Sequence, residues 1–124
     1  MVIDTNIIID HLRSKDKLAS KLYQLSDEPT LYISAVSIYE LYMGATSKDK
    51  EKDIKLVTES LIVLPFTDAV ALQASKIYHQ LKKENELIEF RDIFIAATCL
   101  VNGLSIATLN KKHFKRIEGL KILR

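Results

Sequence analysis

The sequence predicts an α/β fold of three layers, with a central and mostly parallel sheet of about five short strands between helices on both faces. Two observations carry this. Short β-branched or apolar runs alternate with helix-period segments along the whole chain, and strands separated by helices require parallel pairing through right-handed crossovers. The longest uncharged apolar run, Ile93 to Leu104, is too short to span a bilayer and fits a helix buried against such a sheet. With 124 residues, the chain has room for one domain, 1–124, with a real core.

Each element has a local cause. Met1–Asp4 is a short buried strand, and a helix follows from about Asn6 to Arg13. Leu18, Leu22 and Leu25 recur at helical spacing, which places a second helix over Lys15–Leu25. Asp27-Glu28-Pro29 ends it, because the residue before proline disfavours helix. Thr30–Ser34 has strand composition, and Val36–Ala45 is helical, ending around Gly44. The charged stretch Ser47–Asp53 is a solvated helix start leading into Ile54, Leu56, Val57 and Leu61. Ile62-Val63-Leu64 reads as a buried strand closed by Pro65. Thr67 or Asp68 caps a long amphipathic helix with Val70, Ala74, Ile77, Tyr78 and Leu81 as its inner face. Phe90–Gly103 is a further helix, with Gly103 placed as its C-terminal cap. Ser105–Thr108 makes a strand, Lys111–Arg116 a short helix and Leu120–Leu123 a last strand. No internal repeat, linker or low-complexity tract interrupts the pattern.

Composition bounds the function. Hydrophobic residues at 48% and charged residues at 27% describe an ordinary soluble globular protein. A net charge of +2 and a pI near 8.6 permit contact with a polyanion without demanding it. Cys99 is the only cysteine, which excludes an intrachain disulfide framework and a cysteine-based metal site; its apolar setting suggests an inert thiol. His11, His79 and His113 are too scattered along the chain to form a metal site, and His113, though near the presumed cleft, receives no role. The start has no basic segment leading into an apolar one, so no signal peptide is expected. A cytoplasmic location with no membrane contact follows as the expectation.

Asp4, Glu40 and Asp92 are the candidate catalytic residues. Asp4 stands at the carboxyl end of the first strand, the edge where open α/β sheets bind ligands. Each acid also has an ordinary structural use. Asp4, Thr5 or Asn6 could cap the first helix. Ser37-x-x-Glu40 matches a capping box. Asp92 sits in a first helical turn, favoured there by the macrodipole and free to pair with Arg91. Their joint placement at strand-to-helix transitions points further, because a doubly wound sheet gathers such positions along one edge. Carboxylates about 4 Å apart repel by roughly 1 kcal/mol in water and about 4 at an effective dielectric of 20. Such a cluster needs a cation or protons, and all-oxygen ligation favours magnesium or manganese over zinc.

Four segments resemble those of PIN-domain nucleases: Val2-Ile3-Asp4-Thr5-Asn6, Ser34–Gly44 around Glu40, Arg91-Asp92-Ile93-Phe94-Ile95-Ala96-Ala97, and Gly103–Phe114. Size and spacing are similar to the VapC-type toxins of toxin–antitoxin pairs, over Val2 to about Ile122. Each motif alone is weak, and four in order are strong. The resemblance implies a metal-dependent endoribonuclease that leaves a 5′-phosphate and a 3′-hydroxyl. It implies Asp4 and Asp92 as direct Mg2+ ligands (with Mn2+ able to substitute), and Glu40 completing the cluster and helping to orient the attacking hydroxide. Thr5 and Asn6 would brace the first carboxylate, and Thr108 and Asn110 would support the site from the strand-4 loop. Where the family often carries a fourth acid this chain has Asn110, and His113 stands where an aspartate often precedes the phenylalanine. An amide supplies no charge, so one firmly held magnesium is expected rather than two.

Lys111 and Lys112, with Lys115 and Arg116, follow the strand that should end beside the acids; they are either a solvated face or contacts to the RNA backbone. Lys48, Lys50, Lys52 and Lys55 alternate with acids and read as soluble surface. Leu18, Leu22, Tyr23, Tyr39 and Tyr42 serve core packing or, as the resemblance implies, face a partner: a VapB-like antitoxin segment or a second copy in a homodimer. Two other functions stay open. One is a non-catalytic PIN-like module that binds RNA or protein, motivated by the missing fourth acid. The other is a receiver-like signalling domain, for which Asp10 and Lys111 are poor fits.

Overall fold

The computed structural model describes residues 1–123. Four strands, β1 (Val2–Ile3), β2 (Tyr32–Ser34), β3 (Ile62–Leu64) and β4 (Ile106–Ala107), form one sheet in the order β3-β2-β1-β4, with every pairing parallel. The connecting helices are α1 (Thr5–Arg13), α2 (Lys21–Gln24), α3 (Ala35–Met43), α4 (Lys48–Thr58), α5 (Asp68–Lys83), α6 (Phe90–Asn102) and α7 (Lys111–Phe114), with a 3-10 turn at Lys17–Ala19. The predicted last strand, Leu120–Leu123, contracts to a single parallel bridge from Ile106 to Ile122. Two backbone bonds hold it, Ile106 N–H to Lys121 O at 2.9 Å and Leu123 N–H to Ile106 O at 2.8 Å.

Period-two alternation on the strands divides the interior into two cores. Val2 and Ile106 enter one with Val70, Ala74, Ile77 and Leu81 of α5, Ile93, Ala96 and Ala97 of α6, and Phe114. Ile3, Ile33 and Ala107 enter the other with Ile7 and Ile8 of α1, Leu41 of α3 and Ile54 of α4. Helices therefore cover both faces, as expected of three layers. The inner face of α5 is the predicted one, although Tyr78 is only partly buried. Thr67, not Asp68, is the N-cap of α5, its side chain accepting from Val70 N–H at 3.2 Å.

Two elements differ from expectation for identifiable reasons. The helix predicted over Lys15–Leu25 is broken at Ser20, whose Oγ accepts from Tyr23 N–H at 3.2 Å and so starts α2 afresh. Leu18, ahead of that break, is exposed. The strand β3 forms where predicted, but Ile62 and Val63 are half-exposed because β3 is the edge of the sheet.

The chain leaves α6 through Gly103 at φ 64°, in the left-handed region, with its N–H donating to Leu100 O at 3.3 Å. A Cβ built there meets nothing within 4 Å, so only backbone strain opposes a larger residue. Gly103→Ala should therefore lower stability by about 1 kcal/mol in urea denaturation. An unchanged midpoint would contradict the left-handed cap.

Candidate active site

Parallel pairing puts the carboxyl ends of all strands on one edge, and β1 lies between β2 and β4. Asp4 follows β1 directly, Ser34 ends β2 and caps α3, and Thr108 follows β4. Three chain segments thus meet around the central strand. Asp92 arrives differently from expectation: α6 follows α5 through a loop rather than a strand, and its first turn carries Asp92 to the same edge.

Asp4 is the N-cap of α1 and is also the buried centre of the cleft, only 4% exposed. Oδ1 accepts from Thr5 N–H at 2.8 Å, and Oδ2 accepts from the Thr108 hydroxyl at 2.7 Å. Thr108 Oγ1 in turn accepts from Asn110 N–H at 2.9 Å. Asn6 bridges α1 to the β4 loop, its Oδ1 accepting from Leu109 N–H at 3.2 Å and its Nδ2 lying 3.4 Å from Thr108 Oγ1. Asn6 therefore supports Asp4 through Thr108 rather than by touching the carboxylate.

Glu40 is not part of a capping box. Ser34 caps α3, accepting from Val36 N–H at 3.1 Å, which leaves Ser37 inside the helix and Glu40 without a backbone N–H to reach. Its side chain is 13% exposed and both oxygens are held: Oε1 by Thr5 Oγ1 at 2.9 Å and Oε2 by Arg91 Nη1 at 3.1 Å. Thr5 Oγ1 also lies 2.8 Å from Ser37 Oγ. Having one proton, the Thr5 hydroxyl gives it to the carboxylate and accepts from Ser37. The Thr5 side chain thus braces the second acid, while its backbone braces the first.

Arg91 pairs with Glu40 and Glu89 rather than with Asp92. Asp92 Oδ2 instead faces His113 Nδ1 at 3.5 Å, and Asn110 Nδ2 lies 2.7 Å from that same nitrogen. His113 and Arg91 are the residues of the cleft that the sequence left without a role there. The available signal was positional: Phe114 is fully buried and seats α7, so its neighbour is held at the cleft.

The acids feel one another. Burial pushes the Asp4 carboxyl up to about 6; the bonds from Thr108 and Thr5 oppose this, while the charges of Asp92 and Glu40 add to it. Asp92 is also raised, chiefly by burial, with His113 acting against the shift. Among the described residues no three His, Cys, Asp or Glu side chains stand in the spacing of a finished metal-ligand set. Glu40 and Asp92 each have a partner of their own, Arg91 and Thr5 for Glu40 and His113 for Asp92. The donor chemistry fits a hard divalent ion: buried carboxylate oxygen at Asp4, a second carboxylate at Asp92, and mutual charge that such an ion would neutralise.

On the Glu40 side, a groove of about 400 Å³ is lined by Ile9, Leu12, Leu41, Ala45 and Ile54 together with Arg13, Lys50 and Asp53; Asp4 and Asp92 do not line it. Lys111 and Lys112 lie on α7, and Arg116 is occupied, donating to Glu86 O and Leu87 O at 3.3 Å each. Tyr39, Tyr23 and Leu18 are exposed rather than core. Cys99 is buried and its thiol is pushed up to about 12 by burial, in keeping with an inert role.

Residues 1–120 match the PIN domain family. Ribonuclease VapC1 of Rickettsia felis is 34% identical, over 99% of this chain and 94% of the relative. Ribonuclease VapC1 of Methanocaldococcus jannaschii is 32% identical, over 98% of this chain and 85% of the relative. Among solved structures, VapBC-1 from nontypeable Haemophilus influenzae superposes with a TM-score of 0.84 at 27% identity, covering 98% of this chain and 95% of that one.

A carboxyl raised on folding makes the metal-free protein less stable as pH increases. Folded Asp4 holds its proton up to about 6, whereas the unfolded chain releases it near 3.8. Stability is therefore lost across that window, by up to about 3 kcal/mol, and the loss is complete above it. In EDTA the melting midpoint should fall between pH 4 and 7, and Asp4→Asn should raise it at pH 7 by on the order of 5 °C. A midpoint insensitive to both changes would contradict the buried charge.

Proposed function

The chain belongs to the PIN-domain family, and from that premise we propose that it is a magnesium-dependent endoribonuclease, the toxin of a VapBC-like pair. The observation that carries this is the Asp4 carboxylate, 4% exposed and held by Thr5 and Thr108, with Glu40 tied to it through the same Thr5. We take 1–124 as a single such domain.

Asp4 and Asp92 are the residues that would hold the ion. When bound, magnesium would make a water easier to deprotonate and would offset charge on the phosphoryl oxygens, and manganese can substitute for it. Asp4 is prepared for this by Thr108 and Thr5, which fix both of its oxygens. Glu40, held by Thr5 and Arg91, has a set direction and serves to orient the attacking water. Asn6 keeps the β4 loop against α1 by accepting from Leu109 N–H, and within that loop Asn110 N–H donates to the Thr108 hydroxyl that holds Asp4. Lys111 and Lys112 position RNA by its phosphates, which sets register without reading bases.

RNA is the substrate we assign, and hydrolysis of its phosphodiester bonds the reaction. The related VapBC structures, one of them a Haemophilus influenzae complex, support a VapB-like antitoxin as partner. The apolar groove beside Glu40 suits a segment of such a partner, and a second copy of the chain is the other expected contact. Among the described residues no helix is long and apolar enough to cross a membrane, and we place the protein in the cytoplasm with its RNA. Asn110, uncharged where the family often has an acid, favours one alternative, a non-catalytic RNA- or protein-binding module.

Incubation with total RNA separates the two. The wild-type protein should create new 5′ ends with magnesium and none with EDTA. Asp92→Asn should reduce cleavage by on the order of a hundredfold or more while keeping the fold. Equal cleavage by wild type and Asp92→Asn would remove the enzyme assignment.

A further inference from the structure

The hydroxyl of Thr5 is held from two positions of one helix. Ser37 and Glu40 stand three residues apart on α3, which makes them neighbours on its surface. Thr5, the first residue of α1, puts its Oγ1 between them, 2.8 Å from Ser37 Oγ and 2.9 Å from Glu40 Oε1. A carboxylate only accepts, so the Thr5 proton goes to Glu40 and the Ser37 proton goes to Thr5. Other helical hydroxyls of this chain are used differently. Thr58 and Thr98 donate to the carbonyl one turn back, Ile54 O and Phe94 O, at 2.8 Å each. Ser37 turns away from its own helix and toward α1. It is fully buried, and among the described residues its hydroxyl has no partner besides Thr5. A threonine on a helix has two χ1 positions open to it, and the Ser37 hydroxyl favours the one that aims Oγ1 at Glu40.

We propose that Ser37 is a positioning residue, which fixes the Thr5 hydroxyl and through it the direction of Glu40. The inference rests on the nuclease function proposed above, in which Glu40 orients the attacking water, and it adds a residue to that same site. Among the described residues Ser37 makes no hydrogen bond to Asp4 or Asp92, so its effect falls on the orientation of water rather than on the ion. Being buried, it cannot touch RNA. Its removal therefore acts on turnover and leaves substrate affinity alone.

The test uses the full chain and a synthetic RNA oligonucleotide spanning a cut that the wild type makes in total RNA. Ser37→Ala should lower kcat about fivefold, the net effect of one hydrogen bond, with KM and the half-saturating magnesium concentration unchanged. Thr5→Val should lower kcat at least as far, and Ser37→Ala added to it should cost nothing further. Melting curves give an independent reading. Thr5→Val leaves the buried Ser37 hydroxyl unpaired, so the double variant should melt above Thr5→Val. Wild-type kcat in Ser37→Ala, a loss carried by KM, or an undiminished loss on the Thr5→Val background would overturn the role of Ser37 and leave the nuclease function standing. So would a double variant that melts below Thr5→Val. Absence of any magnesium-dependent cut in total RNA would overturn both.

Discussion

A carboxylate withdrawn from water and set beside two others is the constraint on which the rest of the cleft depends. Asp4 cannot move away, because β1 is bracketed by strands on both sides and its last residue is followed at once by α1. Its two oxygens are held by Thr5 and Thr108, which come from different elements. These bonds favour the charged form, yet burial outweighs them and the proton affinity still rises. The fold therefore keeps an unfavourable charge in place, which the divalent cation we propose here would relieve.

The neighbours of Asp4 divide the remaining charge. Glu40 is compensated by Arg91 and Thr5, whereas among the described residues Asp92 has only His113, at a longer distance. That asymmetry is the ground on which we propose different work for the two acids. A carboxylate already holding a guanidinium is suited to orienting water, and one without a strong partner is suited to binding an ion. Arg91 forks between Glu40 and the exposed Glu89 at the mouth of the cleft, so this compensation is anchored at the surface.

Much of this was legible in the residues. The strand before Asp4, the helix ending at Gly103 and the inner face of α5 follow from local pattern, because apolar spacing and a left-handed cap are properties of a few adjacent residues. Strand order is not such a property. Ile62-Val63-Leu64 reads the same at an edge as in the middle of a sheet, and only the order β3-β2-β1-β4 exposes it. Ser20 breaks a helix that leucine spacing supports, since one side-chain cap competes with the helical backbone. At the site, Glu40 matches a capping box in sequence, but its true partner Thr5 lies 35 residues away. Arg91 was expected beside its neighbour Asp92 and instead reaches α3. Residues adjacent on a helix point apart, and contacts between elements decide where each side chain ends.

A manganese-loaded crystal of the wild-type protein, measured at the manganese absorption edge, tests the central claim most directly. One anomalous peak should lie in contact with the carboxylates of Asp4 and Asp92. An empty cleft at saturating manganese, or an ion bound elsewhere with the three acids unchanged, would contradict it.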